Sequence, residues 1–158
     1  MNILQRKRTK NQILDNVSQA EEVYAEMKEC IYPANNIYWC RNMELKPTYD
    51  EENHFEKLRA TIPYLLSLTK QFKDIYYANE KLCLDYPKLH EFSANYFISQ
   101  LRALLKAINE LIFNIKSLKY YQTDSELKRT VKLLLIASED IAINLESIIK
   151  SQTTEDLL

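Results

Sequence analysis

The sequence predicts an all-α protein: a four-helix bundle with a long antiparallel C-terminal helical hairpin. Its 158 residues include no glycine, whereas average usage of about 7% would give roughly ten. Because glycine supplies the positive φ of tight hairpin turns, its absence disfavours a sheet of meandering strands. Apolar residues also recur at three- and four-residue spacings along four segments, and helix-start signals or prolines separate those segments.

The first helix is predicted from about Asn11 to Ile31, and Pro33 is expected to end it. Residues 1–10 are expected to form a basic N-terminal arm. The stretch from Tyr32 to Tyr49 holds two prolines and several aromatic residues, so we expect an irregular, aromatic-containing loop after helix 1. A plug that closes the end of the bundle is favoured over a functional loop. The apolar stripe of the helix comprises Ile13, Leu14, Val17, Ala20, Tyr24, Met27 and Ile31.

The second helix is predicted to start at Asp50, where a capping oxygen and the acids Glu51 and Glu52 suit the free N–H groups of a first turn. Pro63 falls in its interior, so a kink or a split is expected near Ala60. The apolar stripe of the helix comprises Phe55, Leu58, Ile62, Leu65, Leu66, Phe72, Ile75 and Leu82.

Two long helices should form the C-terminal hairpin. Pro87 opens the third helix, because proline in a first turn loses no hydrogen bond. Thr123 and Glu126 have capping-box spacing and should start the fourth. The tail from residue 151 to 158 is acidic and expected to fray. The whole chain, 1–158, is interpreted as one domain. The apolar stripe of the third helix comprises Leu89, Phe92, Tyr96, Leu101, Leu104, Leu105, Ile108, Leu111, Ile112, Ile115 and Leu118.

Catalytic and cofactor sites are not expected. Without glycine the chain cannot build a P-loop, a dinucleotide fingerprint or a G-x-S-x-G elbow. Glu51 and His54 have the Glu-x-x-His spacing of di-iron bundles, but His90, the only other histidine, lacks a matching acid. Cys30, Cys40 and His54 match no structural zinc spacing. The sequence therefore predicts a protein that is not an enzyme and holds no metal or cofactor.

Cysteine usage and hydropathy predict a cytoplasmic protein. The three cysteines form no C-x-x-C pair, and an odd count without a signal peptide is typical of reduced thiols. The segment from Met1 to Lys10 has no apolar core of a signal peptide, and no apolar run approaches the length of a membrane span. We expect no contact with a membrane.

The turn between helices 3 and 4 contains the candidate contact residues. The net charge is −1, but residues 87–132 contain eight basic and four acidic side chains. Cations and tyrosines together can bind nucleic acid, although lysines at a hairpin tip more often serve solubility. The candidate contacts to a partner protein or to nucleic acid are Lys116, Lys119, Tyr120, Tyr121, Lys128, Arg129 and Lys132.

The sequence favours a non-enzymatic helical protein-interaction module, such as an adaptor, an inhibitor or an immunity-type partner protein. Eleven tyrosines and uneven charge fit an interface, with another protein as the main partner and a second copy as a further one. The alternative is a nucleic-acid-binding accessory protein of a larger complex, which would use the Lys/Tyr-rich turn.

One arrangement has a family resemblance. Tyr86-Pro87-Lys88-Leu89-His90 precedes a long helix, a polar Lys/Tyr turn and a closing helix. This order loosely resembles the four-helix accessory proteins of diversity-generating retroelements over the second half of the chain. The resemblance implies an oligomer that binds nucleic acid and a reverse transcriptase. That family tends to be basic, whereas this chain is close to neutral.

Overall fold

The computed structural model describes residues 2–35 and 48–157, and within these ranges it consists of helices and short turns with no strand. The helices are α1 (Ile3–Asn35), α2 (Tyr49–Leu82), α3 (Pro87–Lys116) and α4 (Ser125–Leu157). A single 3₁₀ turn, Tyr121–Thr123, lies between α3 and α4. The predicted all-α bundle is confirmed, with 92% of the described residues helical.

Each helix buries an apolar stripe in one shared core. The main contacts join α1 to α2, α3 to α4 and α2 to α4, and α1 also contacts α3. Helices α1 and α4 therefore lie at opposite corners. Tyr77 and Ser147 form a hydrogen bond late in α2 and α4, while Arg59 and Thr130 form one early in the same helices, so α2 and α4 run in the same direction. The hydrogen bond from Ser138 of α4 to Asn109 of α3 fits the predicted antiparallel hairpin.

The helix starts are set by side-chain caps that differ in part from the predicted ones. Thr48, not Asp50, caps α2: its hydroxyl accepts from the Glu51 amide and donates to the Glu51 carboxylate. In α4 the cap is Asp124 rather than Thr123, because the Asp124 carboxylate accepts the amides of Glu126 and Leu127. The third helix begins at Pro87 as predicted. Several short polar side chains near a helix start can act as the N-cap. The one that does so is the one whose oxygen can accept a hydrogen bond from a free backbone N–H group of the first turn.

The first helix is longer than predicted at both ends. It begins at Ile3, so most of the predicted arm is helical, and Asn2 and Gln5 cap it reciprocally. Pro33 lies inside α1 rather than ending it; only residues 34 and 35 follow it, so the turn that the proline disrupts is already the last one. The predicted irregular loop is wrong for Tyr32 to Asn35, which are helical, and its remainder at 36–47 lies outside the described residues.

Two other boundary predictions change. Pro63 lies inside α2, which is one helix from Tyr49 to Leu82, so a split is wrong and a bend near Ala60 stays a prediction. In α4, residues 151–157 continue the helix, and fraying of this acidic end stays a prediction.

The predicted stripes are mostly buried, with instructive exceptions. Leu14 and Phe92 are exposed, whereas Phe97 and Tyr76 are fully buried. In α3 the buried stripe passes through Ser93, Ala94 and Phe97. Phe92 precedes Ser93, and one residue turns a helix by about 100°, so Phe92 points outward. Because the buried stripe contains the small residues Ser93 and Ala94, the apolar pattern of the sequence did not show which side of α3 is buried.

Candidate interaction surface

The structure brings all seven predicted contact residues to the α3–α4 turn. Lys116 ends α3, Lys119 and the two tyrosines lie in the turn, and the remaining three lie in the first turns of α4. All five cations of the set are exposed, which fits a surface available to a partner. The five are Lys116, Lys119, Lys128, Arg129 and Lys132.

Arg129 differs from the other cations because it has an acidic neighbour. Its guanidinium lies 3.9 Å from a carboxylate oxygen of Glu126, and the same oxygen lies 3.0 Å from Arg59 of α2. Arg59 has a side chain that is 14% exposed and also donates to the Thr130 hydroxyl at 2.8 Å. Arg59 therefore ties the start of α4 to α2, whereas Arg129, whose side chain is 66% exposed, only approaches the same carboxylate. Arg59 was missed because its partners are about 70 residues away in sequence.

The two tyrosines of the turn are only partly available for stacking. Tyr121 is half-buried and packs against the hydrophobic core. Tyr120 is also half-buried, with the Lys119 ammonium 6.0 Å from the centre of its ring. Bases need an uncovered ring face for stacking. The rings therefore offer less surface to nucleic acid than the sequence indicated.

A further surface, which we call the cationic face, lies along the solvent side of the α3–α4 pair. The Ser138–Asn109 hydrogen bond fixes which residues lie opposite each other. Phe113 of α3 and Leu135 of α4 lie about one helical turn from that bond, on the side of the α3–α4 connection, and they are therefore at the same height in the helix pair. Both side chains are exposed. The cations that flank them, all exposed, are Arg102, Lys106, Lys116, Lys128 and Lys132.

The charge of the cationic face is largely uncompensated. In the described part of the chain, none of its five cations takes part in an ion pair. An open depression of about 690 Å³ runs along α3 on this face. Its lining includes one carboxylate, Glu110, against two cations, and the remaining lining residues are Leu105, Asn109, Phe113 and Asn114. Exposed apolar side chains among unpaired cations suit contact with a surface that is both apolar and acidic.

A second, smaller pocket of about 220 Å³ lies where α2 and α4 begin. Carboxylates dominate its lining, and its one cation, Arg59, is already bound to Glu126. Its acidic lining residues are Glu52, Glu56, Asp124 and Glu126.

The residues considered for metal binding or catalysis do not come together where they are described. His54 is exposed, and Glu51 is engaged with its cap Thr48. Cys30 is buried, and burial, helped by nearby Glu26 and Glu29, raises the pKa of its thiol to about 11. Cys40 lies outside the described residues. Within the described ranges no three His, Cys, Asp or Glu side chains are grouped as metal ligands would be.

None of the helices, over the part of the chain that the structure describes, has a stretch apolar and long enough to cross a membrane. Comparison with protein-family models, with curated proteins and with solved structures finds no match. The loose resemblance to retroelement accessory proteins therefore stays untested.

Proposed function

We propose that this protein is a non-enzymatic helical interaction module that binds another protein through the cationic face. The observation that supports the proposal is the exposure of Phe113, 69% accessible, beside Leu135, 41% accessible, among five cations. An aromatic side chain left in water adds nothing to the core, whereas at an interface it is a preferred anchor.

The cations around the apolar centre also indicate what kind of surface the partner has. Charged rims steer association and select partners, while the apolar centre provides most of the affinity. A protein surface with apolar side chains framed by carboxylates complements this face.

Photo-crosslinking tests the proposal, with a matched control on the same helix. Benzoylphenylalanine replaces Phe113 in one variant and Phe92, which is 62% exposed near the other end of α3, in the second. In cells of the native source we expect a discrete crosslinked protein from position 113 and not from position 92. Lys106→Glu together with Lys116→Glu should reduce that product, because both charges lie on the cationic face. Equal products from both positions, or none from 113, would contradict the proposal.

The second candidate function is nucleic-acid binding as an accessory protein. It is favoured by the exposed lysines at positions 116, 119, 128 and 132, and it is weakened by the covered tyrosine rings. Phosphate contacts release counterions, so this binding would be strongest at low salt and fall steeply as salt rises. Fluorescence anisotropy titrations with labelled single- and double-stranded DNA and RNA at about 50 mM salt test this second function. If the protein binds none of these nucleic acids at that low salt concentration, nucleic-acid binding is ruled out.

A further inference from the structure

The depression on the cationic face is a groove that runs along α3. Its lining residues recur at intervals of three and four from Arg102 to Asn114, and all of them belong to this helix. Twelve residues of helix rise about 18 Å, so the groove extends over more than three helical turns. Side-chain rows at these intervals form the ridges and grooves through which helices pack against one another.

Apolar side chains lie in the groove and beside it. Phe113 is exposed at the end of the groove next to the α3–α4 connection, while Leu105, inside the groove, is half-buried and packs against the hydrophobic core. Leu135 of α4, at the height of Phe113, adds an exposed aliphatic side chain from the neighbouring helix. A partner in the groove can therefore cover apolar side chains of both helices.

The groove offers side chains to a partner and no free backbone groups. From Arg102 to Phe113 the chain lies inside α3, where N–H and C=O groups bond within the helix, and the Phe113 carbonyl accepts from the Ser117 amide. An extended segment finds backbone partners at a sheet edge but would find none in this groove. A helix bonds its own backbone and needs only side-chain contacts. The groove therefore favours a helical occupant.

Positive charge is concentrated at the end of the cationic face next to the α3–α4 connection. Lys116, Lys128 and Lys132 are exposed there, and the nearby carboxylate of Asp124 already accepts two backbone amides of α4. An occupant that complements this face is acidic at that end and has mixed charge along the rest. Farther from the connection the exposed charged side chains are of both signs, namely Arg102, Lys106, Glu110, Glu139 and Glu146.

We propose that the cationic face binds an amphipathic α-helix of the partner protein. The apolar side of that helix covers Phe113 and Leu135, and its acidic end lies next to the α3–α4 connection. This inference rests on the proposed function, since it names the element that the partner presents to the same surface. Recognition of a helix in a groove uses anchors three, four and seven residues apart, and the lining of this groove has the same spacing.

Nucleic acid and the acidic helix α1 of a second copy fit the groove less well. Phosphates could pair with the lysines near the connection, but they would meet Leu135 and then the carboxylates of Glu110 and Glu139 along the rest of the face. The acidic part of α1, residues 15–29, exposes no large apolar side chain that could cover Phe113.

Photo-crosslinking from the two ends of the groove tests for the helix directly. Benzoylphenylalanine replaces Arg102 in one variant and Phe113 in the other, and these positions are about 16 Å apart along α3. Peptide mass spectrometry then locates the crosslinked residue of the partner for each variant. A helix along the groove places the two crosslinked residues about eleven positions apart in the partner sequence, whereas an extended segment spans the same distance in about five.

The possible outcomes separate this inference from the proposed function. The absence of any product from position 113 contradicts the proposed function itself. A product from position 113 alone overturns the helix and leaves the cationic face as an interface. The same conclusion follows if the two crosslinked residues lie about five positions apart, lie in unconnected segments, or belong to a second copy of this chain.

A synthetic peptide of about 20 residues that contains both crosslinked positions tests the charge assignment. Its helical circular dichroism should increase when the protein is added. Lys128→Glu with Lys132→Glu should raise its Kd about tenfold or more, because both lysines lie next to the acidic end of the bound helix. Lys57→Glu with Lys70→Glu, at exposed positions of α2, changes the net charge equally and should stay within about twofold. Equal weakening by the two pairs, a peptide that does not bind, or binding without a gain of helicity overturns the proposal.

Discussion

Asn79 shows how one polar side chain can join three helices inside the core. It is 1% exposed. Its amide group donates to the Ile13 carbonyl at 3.4 Å and to the Ser93 hydroxyl at 3.3 Å, and its oxygen accepts from Asn16 at 2.8 Å. Buried groups with every partner in place hold helices in one register, because a shifted arrangement would leave them unpaired.

Replacing Asn79 by alanine should therefore lower the free energy of unfolding by about 1–3 kcal/mol, since the partners on α1 and α3 lose their bonds inside the core. Urea denaturation measures the change. Asn53→Ala is the matched control, because Asn53 is exposed on the same helix, and it should stay within about 0.5 kcal/mol. Equal effects at the two positions would show that the buried network contributes little.

Individual side chains also show where sequence reasoning stops. The apolar repeat identified most of the core, including Ile13, Met27 and Leu104. It could not identify Asn79 or Ser93 as core residues. A polar residue within an apolar stripe looks like the end of the stripe unless its hydrogen-bond partner on another helix is known. Phe92 and Phe97 look alike in sequence, and only packing against Phe72, with ring centres 4.6 Å apart, distinguishes Phe97.

The Cys30 thiol should be unreactive at neutral pH. Its pKa is raised to about 11, first by burial and then by the charges of Glu26 and Glu29. A raised pKa keeps the thiol protonated, and the thiolate is the species that alkylates. Iodoacetamide labelling followed by peptide mass spectrometry should give slow modification at pH 7.5 that accelerates only as pH approaches 11. Fast labelling at pH 7.5 would reopen the question of a nucleophile.

At the scale of elements, the start of α4 offers a direct test of cap assignment. Asp124→Ala removes the acceptor for two backbone amides, at 2.9 and 3.1 Å, and should lower the free energy of unfolding by about 0.5–2 kcal/mol. Thr123→Ala removes only one long bond to Tyr120 and should cost less than about 0.5 kcal/mol. Thermal or urea denaturation of the two variants compares them. The reverse order would support the capping box at Thr123.

Element positions were more predictable than their ends. Four helices followed from apolar periodicity, and Pro87 fixed one start because proline suits a first turn. The start of α1 was missed because residues 3–10 contain few apolar residues, yet Arg, Lys and Gln are good helix formers and Asn2 with Gln5 supplies a cap. A proline near a helix end likewise does not say which of the neighbouring residues is the last.

At the scale of the whole molecule, exposed charge is unevenly distributed. The cationic face lies on α3 and α4, whereas α1 exposes cations only near its start and then Asp15, Glu22, Glu26 and Glu29. The sequence located the basic hairpin turn but not the cationic face, because Phe113 and Leu135 come together only when α3 and α4 pack. Arg129, which the sequence grouped with the binding cations, proved to lie beside Glu126. The three-dimensional neighbours of a cation therefore distinguish Arg59, which stabilises the bundle, from the exposed lysines.

That distinction predicts how the two kinds of cation respond to reversal. Lys116, Lys119, Lys128 and Lys132 are all exposed, so changing all four to glutamate should shift the Tm by less than about 5 °C. Arg59→Glu alone should lower the free energy of unfolding by about 1–3 kcal/mol, because it removes the bond to Thr130 and places a carboxylate near Glu126, whose side chain is 57% exposed. Differential scanning calorimetry of both variants measures this. If the fourfold lysine variant unfolds as easily as Arg59→Glu, the lysines stabilise the bundle and their exposure is no indication of a partner. If only Arg59→Glu unfolds, the fold does not need the lysines, and the fourfold variant becomes a well-folded reagent for the crosslinking and nucleic-acid experiments.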